Sequence, residues 1–255
     1  MIDRIEHSPG ILELRLNRPP ANALSPELMA ALQAAVAAAP GDGARALVLS
    51  GRPGMFSGGL DVPLLLKLGR DEIRETWRLL YSALRTLAAS PIPVAAAITG
   101  HSPAGGAVLS LYCDTRIMAK AASGEKEFRI GLNEVQVGLP MPPVIYRALA
   151  WAVGNQRASL LAGGGMLVTS DEAHRLGFVD ELQSTEQVVD RAVAWCRERL
   201  ALPPSAHAFT RNLGRHSLLQ VFEGAETELD GLVDVWFSEE THGAMTALVA
   251  RLQKK

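Results

Sequence analysis

Long apolar runs are missing from this chain. No segment approaches the roughly 20 consecutive apolar residues that a membrane-spanning helix needs, so no membrane partner is expected. Cysteine is scarce. Cys113 and Cys196 stand far apart in helix-like contexts and form no CxxC, which excludes a disulfide framework and fits a reducing, cytoplasmic setting. The opening MIDRIEHSPG carries Asp3 and Glu6 and has no apolar core, so it does not read as a signal peptide. A basic excess is missing too: 25 Lys and Arg face 27 Asp and Glu, for a formal charge of -2. No basic cluster interleaves with aromatic residues, which excludes a nucleic-acid surface. The six histidines include no pair at metal-ligand spacing, and no metal site is expected. GxGxxG, the P-loop and the GxSxG nucleophile elbow are all absent.

What is present is a chain of 255 residues, 48% hydrophobic, with a change of character near Pro203 and Pro204. We place a boundary near 200: residues 1–200 as an α/β core, residues 201–255 as a helical region. Leu12, Leu14 and Leu16 alternate with Glu13 and Arg15, predicting a half-exposed strand over 11–16. Ser25, Pro26 and Glu27 read as N-cap, first helical residue and first-turn acid. Ile73, Trp77, Leu80, Leu84 and Leu87 repeat at helical spacing and predict a helix over 71–89. Short strands are expected at 46–49, 93–98, 115–119 and 178–179, and helices near 144–152, 157–162 and 171–176. Beyond 200 come three amphipathic stretches, at 206–213, 218–234 and 239–252. Strands separated by helices indicate an α/β fold.

Two glycine-rich turns each follow a strand: Ser57-Gly58-Gly59-Leu60-Asp61 and Pro103-Ala104-Gly105-Gly106. Small residues let another group approach the main chain closely, and amides at a helix start have no intrahelical partner. One N–H from each turn would suit a developing oxyanion. Asp61 is expected to cap the turn after it. His101 is expected to be a solvated loop residue, and Arg18 a surface residue within reach of a phosphate. Glu134 differs from the other acids because it sits among apolar residues in IGLNEVQVGLP. A carboxylate held there has a raised proton affinity and becomes a base near neutrality.

Taken together, LRLNRPPANALSPEL (14–28), MFSGGLD (55–61), ITGHSPAGGAVLSLYCDTRI (98–117), FRIGLNEVQVGLP (128–140) and SDEAHRLGFVDEL (170–182) resemble the enoyl-CoA hydratase/isomerase (crotonase) superfamily. The resemblance implies a spiral of repeated β-β-α units with a C-terminal helical trimerisation region, assembled as a trimer or hexamer. It implies an acyl-CoA thioester as substrate, its carbonyl held between the N–H groups of Leu60 and Gly105. Ala21 and Ala23 would line the CoA channel, and the backbone around Gly58 would meet the adenine, with Ser57, Gly59, Asp61 and Asn133 completing the substrate-binding set. Leu64, Leu65, Trp77 and Leu139 are candidates for the acyl pocket, Lys254 and Lys255 for a CoA contact. Members that hydrate a double bond carry a first catalytic glutamate on the helix after the second glycine turn, where this chain has Val108. SPAGGAVLSLYCDTRI and IGLNEVQVGL are most similar to the mitochondrial type of Δ3,Δ2-enoyl-CoA isomerase, which works with one glutamate, here Glu134. No cofactor beyond the substrate's own CoA is implied.

Overall fold

A computed structural model describes residues 1–252. A six-stranded sheet is built in the order β1 (Ile2–Ser8), β2 (Ile11–Leu16), β3 (Ala46–Ser50), β5 (Val94–Ile98), β7 (Thr115–Lys120) and β10 (Glu181–Ser184). A second sheet runs β4 (Gly54–Met55), β6 (Gly100–Pro103), β8 (Arg129–Gly131) and β9 (Leu167–Thr169). The chain winds between them. Each of β3, β5 and β7 lies in the large sheet, passes directly to β4, β6 or β8 in the small one, and then enters helical structure. That is a spiral of β-β-α units, as expected.

The helices follow chemical signals in the sequence. Helix α1 (Pro26–Ala38) is capped by the Ser25 hydroxyl, which accepts from the Leu28 N–H at 3.3 Å. Helix α2 (Val62–Leu65) is capped by Asp61, and α3 (Arg70–Ala89) buries Ile73, Trp77, Leu80, Leu84 and Leu87. Helix α4 (Gly105–Leu111) follows β6 directly and is wholly buried. A single 3-10 turn, Glu134–Val137, precedes α5 (Pro143–Val153), α6 (Asn155–Gly163) and α7 (Ser170–Leu176).

Four expectations are corrected. Strand β2 is buried on both faces, and Glu13 has no exposed surface. The reason is α8 (Val188–Leu200), of which the sequence suggests only a helix-like context at Cys196, and whose Val188, Ala192, Val193, Trp195 and Cys196 pack on Ile11, Val48, Ala95 and Ile117. Buried Glu13 accepts from Ser50 Oγ at 2.5 Å and Arg15 Nε at 2.9 Å, and meets His7 Nε2 at 2.6 Å. Burial pushes its carboxyl up, and these partners outweigh that and hold it below its ordinary value. Residues 100–103 form strand β6 rather than turn. Phe178 and Val179 are not a strand; they fold back onto Ala173 O after the left-handed Gly177, and the strand begins at Glu181. The 218–234 stretch is broken: α9 (Pro204–Gln220) stops before Gly224 at φ +77°, and α10 (Leu229–Trp236) starts anew, followed by α11 (Glu239–Leu252).

Two sets of charged contacts tie the helices beyond 200 to the core. Asp114, nearly buried, accepts from Arg211 Nε and Nη2 at 2.9 Å and from Arg215 Nη1 at 2.7 Å. At the surface, Arg70, Arg74 and Arg78 of α3 face Asp234, Asp230 and Glu226 in an antiparallel charge ladder.

Candidate active site

The two glycine turns meet. A Cβ on Gly59 would lie 3.0 Å from Ala104 Cβ and 3.3 Å from Gly105 N; one on Gly106 would lie 2.5 Å from Ser57 O. Glycine is therefore required for this approach at Gly59, which also has φ +90°, and at Gly106. Ala104, within the second turn, holds φ +46° and ψ -120°, a conformation that L-residues rarely adopt. Strain of this sort persists only where the surroundings enforce it, and it gathers at functional sites. Here it directs the chain into α4 so that the first helical amide is that of Gly105.

Asn22 organises the other side. It is fully buried at φ +49°. Its Oδ1 accepts from Arg18 N at 2.8 Å, its Nδ2 donates to Phe56 O at 3.0 Å, and its carbonyl accepts from Ser57 Oγ at 2.8 Å. The loop carrying Ala21 and Ala23 is thereby fastened to the first glycine turn. In addition, Gly58 N donates to Ala21 O at 2.8 Å, Leu24 N to Gly59 O at 2.7 Å and Asp61 N to Leu24 O at 3.1 Å. The Leu60 amide lies between these bonds.

These elements surround a cavity of about 620 Å³. Ala21, Ala23, Gly58, Leu60, Asp61, Gly105, Asn133 and Glu134 of the expected site residues all line it. Ser57 and Gly59 do not reach its wall; they shape the turn from behind, the Ser57 hydroxyl accepting from Gly59 N at 3.3 Å. Trp77 and Leu139 line the cavity, whereas Leu64 and Leu65 do not, and Leu65 is packed in the core. Lys254 and Lys255 lie outside the described residues. His101 is on strand β6, half-buried, accepting from Arg129 N at 3.1 Å through Nδ1, and it does not line the cavity. Burial, with Lys126 and Arg129 nearby, lowers its pKa.

Two carboxylates line the cavity, and their states differ. Asp61 is paired: Oδ2 lies 2.6 Å from Arg18 Nη2, and Oδ1 accepts from Leu64 N at 3.1 Å. Glu134 is 8% exposed, and its Oε2 has no hydrogen-bond partner among the described residues. Burial pushes its pKa from 4.5 up to about 7, only partly offset by its own backbone amide. Asn133 Oδ1, beside it, is also without a partner. Val108 contributes hydrocarbon to the same wall. Sequence reasoning missed Asn22, Met245 and Leu248. Nothing local distinguishes the last two from other apolar positions of α11.

A two-sheet spiral, with paired glycine turns over a buried carboxylate, is the crotonase fold. The chain belongs to the enoyl-CoA hydratase/isomerase family, whose family model matches residues 6–254. It is 30% identical over 208 residues to human enoyl-CoA delta isomerase 1, mitochondrial, covering 81% of this chain and 68% of that protein. It is 34% identical over 203 residues to the probable enoyl-CoA hydratase EchA17 of Mycobacterium tuberculosis, covering 78% and 74%. The crystal structure of human mitochondrial delta3-delta2-enoyl-CoA isomerase superposes with a TM-score of 0.93 at 25% identity, over 99% of this chain and 98% of that one.

Proposed function

We propose that this chain moves the double bond of 3-enoyl-CoA esters into conjugation with the thioester, giving trans-2-enoyl-CoA in fatty-acid β-oxidation. One observation carries the reading: Glu134 is the cavity's single unpaired carboxylate, with a pKa near neutrality, and Val108 stands where a hydrating enzyme needs a second. The Leu60 and Gly105 amides serve as donors to the thioester oxygen. Ionised Glu134 removes a proton from C2, the C–H pair forms C1=C2 and the carbonyl π pair moves onto the thioester oxygen as a dienolate. C2=C3 then forms as the carbonyl is restored and C4 takes up the proton that Glu134 returns. The proton count is unchanged, so one residue suffices on one face of the substrate. Each oxyanion donor is worth on the order of 3 kcal/mol of barrier.

The loop at Ala21 and Ala23, with Gly58, Asp61 and Asn133, takes the CoA arm. The scheme uses no cofactor or metal, since coenzyme A belongs to the substrate. The reading includes a cytoplasmic setting, supported by the two unbridged, buried thiols. It also includes a homotrimer or hexamer, supported by Phe209 and Leu213 of α9, which are 73% and 68% exposed. Sedimentation of the purified chain tests the assembly.

The 34% identity to a protein named as a hydratase favours a second reading, addition of water. Incubating 3-enoyl-CoA and trans-2-enoyl-CoA separately, with products resolved by chromatography and mass, separates the readings. Conversion of the first ester supports isomerisation, a water adduct of the second supports hydration, and free CoA supports thioester hydrolysis. Glu134→Gln is expected to abolish isomerisation while acyl-CoA binding survives; full activity in that variant overturns the assignment. No turnover of any ester by the unaltered chain leaves a CoA-ester binder.

A further inference from the structure

The charged groups of the cavity account for the thioester end, and the rest of the wall is mostly apolar: Trp77 and Leu80 from α3, Val108 from α4, Ile145 from α5, and Met245 and Leu248 from α11, with the Trp77 indole N–H the polar group among these. The last two come from the final helix of the same chain. Helix α11 packs on both α2 and the 3-10 turn that carries Glu134. Thr241, Met245 and Leu248 fall at i, i+4 and i+7, one stripe of that helix. Thr241 is buried, and its Oγ1 donates to Gly138 O at 2.7 Å. Gly138 has φ +73°, and a Cβ there would lie 3.0 Å from Thr241 Cα. The start of α11 is thus pinned to the residue that ends the Glu134 turn, and the next two positions of the stripe are delivered into the cavity wall.

We propose that Met245 and Leu248 are specificity-determining residues that set the length of the acyl chain. This rests on the reading that the site takes acyl-CoA thioesters. No side chain of this stripe beyond Thr241 offers a hydrogen bond, and the Thr241 hydroxyl is spent on Gly138. The stripe therefore selects by size and apolar contact rather than by hydrogen bonding. A methylene gained or lost in such a pocket changes discrimination on the order of tenfold. Met245 is an adaptable, unbranched filler, whereas half-buried Leu248 is the position at which size alters the pocket with least disturbance of the core.

The test is calorimetric titration of the full chain with free CoA and a homologous series of saturated straight-chain acyl-CoA esters. Saturated esters undergo neither isomerisation nor hydration, so the length profile does not depend on which of those two reactions the site runs. Leu248→Ala is expected to favour the longest esters over the shortest by about tenfold relative to the unaltered chain. Leu248→Trp is expected to weaken the longest esters by a similar factor and leave free CoA and the shortest ester unchanged. Met245→Ala should move the profile in the same direction as Leu248→Ala. An unchanged length profile in both Leu248 variants, or an equal loss at every length, overturns the proposal. Failure of the unaltered chain to bind any ester overturns the acyl-CoA reading itself.

Discussion

Val108 and Glu134 line one cavity, the first on the helix after the second glycine turn, the second on a single 3-10 turn. Only Glu134 can carry a proton. Moving a double bond needs one base that works twice. Adding water needs a group to hold and deprotonate the water while another protonates C2. The pair therefore separates two reactions that the same fold and the same oxyanion donors could support.

Val108→Glu is accordingly expected to create hydration. Water adduct formed from trans-2-enoyl-CoA should rise on the order of 100-fold, the usual worth of a positioned acid or base. The new carboxyl would sit at a position only 1% exposed, so the variant should also unfold at a lower temperature. Product mass and a melting curve on the same preparation measure both effects. A folded variant without the adduct would show that position 108 does not select the reaction.

Glu134 makes a second expectation, in pH. Its base form predominates only above about 7, so kcat/KM should climb along a limb with that apparent pKa and level off beyond it. Stability runs the other way. The folded state holds this proton more tightly than the unfolded chain, so stability falls as pH rises from about 4.5 to about 7, and the loss is complete above that. Glu134→Gln should remove the penalty, a gain of at most about 3 kcal/mol at alkaline pH that vanishes in acid. Urea unfolding at both extremes of pH would detect it, and a gain that does not vary with pH would refute the raised pKa.

Much of this was legible because the signals are local. Ser25-Pro26-Glu27 specifies a helix start by capping chemistry, and the stripe from Ile73 to Leu87 specifies a helix face by period. Glu134 was legible from the apolar residues beside it in sequence, although Val135 is 39% exposed and the helices packed on its turn, α6 and α11, come from further along the chain. Glu13 was misread for the opposite reason. Its alternation with leucines implies an exposed face, but α8, distant in sequence, covers that face, and Ser50, Arg15 and His7 satisfy the carboxylate. Asn22 escaped notice because its importance lies in bonds to Phe56 and Ser57 that no spacing rule foretells. Met245 and Leu248 became site residues only through the way α11 docks.

Arg18 was read as a surface residue, yet it joins the two loops at the mouth of the site. Nη2 pairs with Asp61, and Nη1 donates to Ala23 O at 3.1 Å. Asp61 follows Leu60, so this bridge steadies the amide proposed above as an oxyanion donor. Arg18→Met is expected to cost about 1 kcal/mol of stability, since the pair is partly exposed. It should lower kcat about tenfold with a smaller change in KM, as a displaced transition-state donor would. Arg18→Lys keeps the charge but loses the fork, so steady-state kinetics should show incomplete rescue. Full rescue by lysine would mean that charge alone matters at this position.

The closest test of the paired turns is Gly106→Ala. A methyl there would meet Ser57 O at 2.5 Å and Ser102 Oγ at 2.9 Å, and the first of these is main chain that cannot rotate away. A Cβ at Gly105 would first meet the tip of the Leu24 side chain, at 2.7 Å, which has more freedom to move. The Gly106 substitution must therefore push the two turns apart, at an overpacking cost of about 1–3 kcal/mol. On the proposed scheme, separation would degrade the convergence of the Leu60 and Gly105 amides on the thioester oxygen, which matters most when charge develops there. The expected outcome is a fall in kcat on the order of 100-fold, with the affinity for a saturated acyl-CoA ester little changed. A variant that keeps its rate with the turns forced apart would mean that the thioester oxygen is held elsewhere.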